Sequence, residues 1–298
     1  MQQYMVSVVM ITYNHEKYIQ QAIESILMQE CTFEYELIIS NDCSPDNTHK
    51  IIQGYLSGNN SIKYFSHEKN LGVIPNFLFA LNQANGKYIA ICEGDDYWTD
   101  PLKLQKQVDF MENNPDFSII FHQVQVLEND ILTNETYPLA KNVKDISTIE
   151  DLSKNNYIPT LSVLYKNSHT YPSYIKDSFI GDYPLHLYNA EKGKIKFIPE
   201  IMGIYRKGVG VWSSEINSIR NKKMLLSLFL ISDYYKNNKV VYHNLRQQQK
   251  FYLYAYLKDT TGKKQSALSI LFKDKLFKNV PLMDKLYILL KFLLKKNL

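Results

Sequence analysis

Along the first part of the chain, apolar residues run consecutively, then recur at helical spacing, then run again. Residues 6–14, VSVVMITYN, form a β-branched run that ends in polar residues, and the following HEKYIQQAIESILMQ places Ile19, Ala22, Ile23, Ile26 and Leu27 on one helical face. A strand followed by a helix accounts for both. The pair recurs as YELIISND into NTHKIIQGYL, IKYFSHEKN into GVIPNFLFALNQAN, and GKYIAIC into PLKLQKQVDFMEN. Successive β-then-α units predict an α/β fold with a Rossmann-like, mostly parallel, doubly wound sheet. Pro45, Gly72 and Pro101 stand at strand-to-helix turns, and Gly86 reads as the C-terminal cap of the third helix.

The alternation then weakens. FSIIFHQVQVLEN (117–129) reads as a fifth strand, whereas 130–156 is polar and poorly periodic. Residues 157–212 hold shorter apolar runs, TLSVLYK and KIKFIPEIMGIYR, on either side of a helical stretch, YPLHLYNAEKG. From about residue 213 the spacing is helical to the end. The expected organisation is a sheet-bearing domain over 1–215, with halves of about 1–115 and 116–215, and a C-terminal helical region over 216–298.

Composition changes this picture little. Cys31, Cys43 and Cys92 are widely spaced and lack CxxC or Cys/His ligand spacing, so neither a disulfide framework nor a zinc site is expected and a reducing compartment fits. No basic leader with an apolar core opens the sequence and no run of about 18 apolar residues occurs, which predicts a cytoplasmic protein. The net charge of +4 is unevenly placed: residues 263–298 carry +7, leaving −3 for the body, which argues against nucleic-acid binding. Tyr, at 23 residues, is the one outlier in composition.

Ligands of open α/β sheets bind beyond the carboxyl ends of the strands. Here those ends are polar: Thr12, Tyr13 and Asn14 after the first strand, Asn41 and Asp42 after the second, Glu68, Lys69 and Asn70 after the third, Glu93, Asp95 and Asp96 after the fourth. Neither G-x-G-x-x-G nor G-x-x-x-x-G-K-[ST] follows the first strand, so backbone amides of a glycine-rich loop do not cradle phosphate there. The carboxylates offer another route, because a hard divalent cation, Mg or Mn, bridges Asp oxygens to diphosphate oxygens. Taken singly, each feature also has a plain structural reading: a solvated acidic turn, Asp42 as a helix cap, Tyr13 and Trp98 as partly buried aromatics. Those readings do not place polar clusters at four successive strand ends.

In order along the chain, SVVMITYNHEKYIQQAIESILMQ, ELIISNDCSPDNT, KNLGVIPNFLFALNQANGKYIAICEGDDYWTDPLKLQKQV and GDYPL resemble the motifs of the inverting family 2 glycosyltransferases, with the GT-A fold, over about residues 5–215. The resemblance implies a nucleotide pocket lined by Thr12, Tyr13, Asn14, Asp42 and Asn70, with Asp95 facing the ribose and Asp96 the metal. Glu93 takes the first acidic position of the wider motif, and Asp182 falls at the catalytic base; an N-cap after Gly181 is the structural alternative for Asp182. IYRKGVGVWS (204–213) resembles a loop that closes over donor and acceptor, in which Arg206 is the candidate for the diphosphate. Trp98 and Trp212 are assigned to the donor and acceptor side. His15, His49 and His67 read as surface or loop residues. The family implies a nucleotide-sugar donor, UDP by resemblance, and a glycan or lipid-linked glycan acceptor in surface polysaccharide assembly.

Two other classes compete. An Asp-dependent phosphohydrolase calls for D-x-D-x-[TV] after the first strand, where TYN stands instead; a non-catalytic sugar-nucleotide or carbohydrate-binding protein has no need of Asp182. The basic apolar tail, above all Leu282 to Leu294, suits an amphipathic helix on an anionic inner membrane face and suits equally helices packed on the domain or on a second copy.

Overall fold

The computed structural model describes residues 4–260 and Lys285. The four predicted strand–helix pairs are present: β1 (Val6–Thr12) and α1 (Ile19–Leu27), β2 (Tyr35–Asn41) and α2 (Thr48–Leu56), β3 (Ile62–Ser66) and α3 (Val73–Asn82), β4 (Tyr88–Ile91) and, after the two-residue β5 (Tyr97–Trp98), α4 (Lys103–Asn113). β6 (Phe117–Glu128) follows. The stretch read as irregular holds β7 (Ile131–Tyr137), β8 (Ile146–Ser147) and α5 (Ile149–Leu152). β7 pairs antiparallel with β6 but leaves most of its side chains in solvent, so it lacks the apolar alternation that marks a half-buried strand. Next come β9 (Leu164–Lys166), α6 (Ser173–Lys176), α7 (Asp182–Ala190), β10 (Lys194–Lys207), α8 (Val211–Ser214), α9 (Asn217–Tyr234) and α10 (Lys239–Thr260).

The sheet order is β3-β2-β1-β4-β9-β6-β10-β5, with β7 on β6 and β8 on β10. β3, β2, β1 and β4 are mutually parallel, and β6 and β10 are parallel to each other. Because β9 is antiparallel to both β4 and β6, those six longer strands all point the same way. Their carboxyl ends therefore share one edge, and residues far apart in sequence, Thr12, Asp42, Glu93 and Arg206, arrive there together.

Each central strand is buried on both faces. Val8, Met10, Leu37 and Ile39 point toward α1 and α4, whereas Val9 and Ile38 point toward α3 and α7. Met224, Leu228 and Ile231 of α9 and Val241 and Leu245 of α10 belong to that second layer. Gln248 also donates to the Ser153 carbonyl at 2.7 Å and to the Tyr183 hydroxyl at 2.6 Å. Residues 217–260 thus close one face of the sheet rather than hang from it.

Gly86 is not the cap of α3; that position is Gln83. Gly86 lies where a Cβ would come 2.4 Å from the Ser7 backbone nitrogen, so its role is close chain approach beside β1. No described helix is long and apolar enough to cross a membrane. The tail proposed for lipid or self-association, Leu282 to Leu294, lies outside the described residues apart from Lys285.

Candidate active site

The end of β1 turns sharply. Asn14 takes a left-handed conformation at φ 61°, its N–H donates to Ser44 Oγ at 3.0 Å, and the next amide, of His15, donates to Thr48 Oγ1 at 2.9 Å. Tyr13 is left exposed at the edge. Asp42, buried at the end of β2, accepts from Leu71 N–H at 2.6 Å and Gly72 N–H at 3.0 Å, while Asn70 Nδ2 donates to its carbonyl at 3.2 Å. The positive φ of Gly72, 89°, is a conformation glycine adopts without a Cβ clash. Asp42 thus ties the β3–α3 loop to β2 and does not cap α2. Asp46 fills the local turn instead, accepting from Thr48 N–H at 3.0 Å.

Between β1 and β4 the sheet order reverses, which is where an open α/β sheet forms its crevice. Gly94 N–H donates to the Ile11 carbonyl at 3.0 Å, and a Cβ at Gly94 would lie 2.8 Å from Thr12 Oγ1. This approach presents the adjoining acidic residues at the crevice. One oxygen from each of Glu93, Asp95 and Asp96 lies within 4.8 Å of the others. Burial first, then the charges of Asp95 and Asp182, push Glu93 up to about 8. Burial, then Asp95 and Glu93, hold Asp96 well above the usual carboxylate range, against the opposing Arg206 N–H and guanidinium. Three close carboxylates repel one another unless protons or a cation intervene. An all-oxygen set of this kind fits a hard divalent ion, Mg or Mn.

The last turn of β10 closes over this cluster. Arg206 N–H donates to Asp96 Oδ1 at 2.8 Å, and its guanidinium sits 4.9 Å from the Tyr18 ring centroid and 5.0 Å from that of Tyr97. Nη2 donates to Gln21 Oε1, whereas the buried Nε has no partner among the described residues. Beyond it, a Cβ at Gly210 would fall 2.6 Å from Asp95 Oδ2, so loop and carboxylate are in direct contact. Trp212 is exposed on α8 at the rim.

Trp98, assigned to the donor and acceptor side, is buried in the core rather than presented at the crevice. It is 1% exposed, its Nε1–H donates to the Leu161 carbonyl at 2.8 Å, and Lys103 Nζ lies 3.9 Å from its ring centroid. β5 pairs antiparallel with β10 at Gly203 and Ile204, which turns alternate residues to opposite faces: Tyr97 reaches Arg206 and Trp98 enters the core. Lys103 is fully buried beneath that ring, and desolvation draws it down to about 7.

Asp182 is the first residue of α7; Gly181 holds the N-cap position. The Asp182 side chain makes no capping bond. Its Oδ2 accepts from Asn156 Nδ2 at 3.1 Å and Thr160 Oγ1 at 3.5 Å. Its charge is one of those raising Glu93, so α7 delivers this carboxylate to the same edge as the acidic cluster.

His15, expected as a surface or loop residue, is instead drawn into the site. Its Nδ1 is 3.2 Å from Thr12 Oγ1, and burial lowers its pKa against the opposing charges of Asp95 and Asp46. Its place directly after the TYN turn was the available signal. By contrast, His49 bonds Tyr64 at 2.7 Å and His67 bonds Ser40 at 3.0 Å, both away from the cluster.

A family described as "Glycosyl transferase family 2" matches residues 7–171 of the chain. The chain belongs to glycosyl transferase family 2. An uncharacterized protein of Mycobacterium tuberculosis is 37% identical over 210 residues, covering 70% of this chain and 60% of that protein. The chain thus spans about 60% of the length of this curated relative. The putative teichuronic acid biosynthesis glycosyltransferase TuaG of Bacillus subtilis is 32% identical over 169 residues, covering 56% of this chain and 64% of TuaG. In structure, S. aureus TarS residues 1–349 in complex with UDP-GlcNAc match with a TM-score of 0.62 at 18% identity, over 96% of this chain and 80% of that one. The mannosyltransferase PcManGT from Pyrobaculum calidifontis, in complex with GDP-Man and Mn2+, matches with a TM-score of 0.56 at 14% identity, over 99% of this chain and 88% of that one. At these identities the structural likeness establishes the GT-A fold of this family 2 member.

Proposed function

We propose that this family 2 member is an inverting glycosyltransferase that moves a sugar from a nucleoside-diphosphate sugar, UDP-linked, to a hydroxyl of a glycan acceptor. The observation that carries the reading is the shared edge. A hydrogen-bonded carboxylate, Asp182, lies close enough to a cluster of three others to raise Glu93, at the edge where the polar strand ends gather. In the reaction the acceptor oxygen bonds to the anomeric carbon, that carbon's bond to the diphosphate oxygen breaks with its electron pair, and the acceptor proton passes to Asp182. Asp96 with its neighbours would hold Mg or Mn, whose contribution when bound is to neutralise charge on the departing diphosphate. Thr12, Tyr13, Asn14 and the loop held by Asp42 and Asn70 would line the nucleoside, with Asp95 toward the ribose. Arg206 donates its backbone N–H to Asp96 and sets its guanidinium charge near that carboxylate, with the buried Nε unpaired among the described residues.

The names of TuaG and of TarS in complex with UDP-GlcNAc support a surface-polysaccharide role and a UDP-linked donor. A lipid-linked acceptor would suit the basic tail of 263–298, which we propose as a contact to an anionic membrane face. Family membership and the absence of an Asp at the end of β1 set the phosphohydrolase reading aside. Thermal shift with UDP-, GDP- and dTDP-sugars, with Mn2+ or with EDTA, tests the proposal. Stabilisation by one nucleotide class that needs the cation is expected; indifference to every nucleotide would overturn it.

A further inference from the structure

Asp182 is held from one side only. Its Oδ2 accepts from Asn156 and Thr160, and no hydrogen bond to Oδ1 is found among the described residues. Asn156 is itself fixed at three points. Its Oδ1 accepts from Ile158 N–H at 3.3 Å, its carbonyl accepts from the Tyr137 hydroxyl at 2.7 Å, and its Nδ2 reaches Asp182 at 3.1 Å. The amide orientation follows from its partners. An ionised carboxylate only accepts and a backbone N–H only donates, so the nitrogen must face Asp182 and the oxygen Ile158.

We propose that Asn156 is a positioning residue for the transfer reaction, fixing Asp182 through Oδ2 so that Oδ1 is presented to the acceptor hydroxyl. Since it rests on the assignment of Asp182 as the base, it deepens the function proposed above. A base must lie within hydrogen-bond reach of the proton it takes, and holding one oxygen by an amide on a loop tied to β7 leaves little freedom to the other. The Thr160 hydroxyl, at the longer distance, is the weaker of the two supports.

Asn156→Asp separates this role from a loop-forming one. It keeps the size and the oxygen that accepts from Ile158 but replaces the amide donor to Asp182 with a second carboxylate oxygen, which repels Asp182 or shares a proton with it. Using the donor selected by the thermal-shift panel and Mn2+, release of the nucleoside diphosphate is measured for wild type, Asn156→Asp, Asn156→Ala, Asp182→Asn and the Asn156→Asp/Asp182→Asn double variant. Positioning predicts that Asn156→Asp and Asn156→Ala each lower kcat about 10-fold or more with donor KM within about 2-fold. It predicts no further loss when Asn156→Asp is added to Asp182→Asn, where the second charge next to position 156 is gone, because the two act as a unit. An active Asn156→Asp beside an inactive Asp182→Asn would overturn the role of Asn156 alone. A fully active Asp182→Asn would overturn the assignment of the base itself. Additive losses in the double variant would show that Asn156 acts elsewhere.

Discussion

Glu93 carries the clearest pH consequence at the scale of single residues. Its folded pKa stands at about 8 against an ordinary 4.5, so the native state binds the extra proton between those values. By linkage the protein without metal loses stability as pH rises from about 4.5 to about 8. A cation that replaces the proton should reverse the trend, and thermal melts with and without Mn2+ across that window check it. The Mn2+ increment is expected to grow with pH; an increment equal at both ends would count against the cluster as the metal site. Asp96→Asn should abolish the increment while leaving the fold intact. The sequence showed which carboxylates gather after the fourth strand, but not that Asp96 meets the Arg206 amide 110 positions later, because that contact depends on β10 running parallel to β6.

At the scale of elements, the loop after β10 and the turn before β4 are each shaped by contact at a glycine. Gly210→Ala would drive a methyl into Asp95, so the loop must sit higher, and donor KM is expected to rise about tenfold with little change in melting temperature. Steady-state kinetics against donor concentration measures this; an unchanged KM would mean that the loop does not define the donor site. Gly86→Ala meets rigid backbone rather than a side-chain tip, and overpacking of that kind costs about 1–3 kcal/mol. Denaturant unfolding should show that loss with unaltered kinetics. The βα units were legible because strands buried on both faces read as unbroken apolar runs. β7, with most of its residues exposed, and Trp98, whose direction depends on pairing between β5 and β10, were not. Side-chain direction on a two-residue strand belongs to the pairing, not to the local sequence.

Across the whole molecule, the family match ends at residue 171, yet α7, β10, α9 and α10 supply Asp182, the Arg206 segment and one wall of the core. A chain ending at residue 215 would expose the buried face that Leu228, Ile231, Val241 and Leu245 cover, and it is expected to lose cooperative unfolding. Leu245→Ala, fully buried in α10, should destabilise by about 2–5 kcal/mol, with calorimetry as the check. The helical spacing after residue 213 announced helices without saying what they cover, since partners across a core leave no local signature. In the proposed reaction, Asp182, brought to the acidic edge by α7, takes the acceptor proton. Single-turnover transfer by Asp182→Asn, with the donor and cation bound, tests it most directly. Donor affinity close to wild type and a rate lower by about 10²-fold or more are expected, whereas transfer at the wild-type rate would rule out Asp182 as the base.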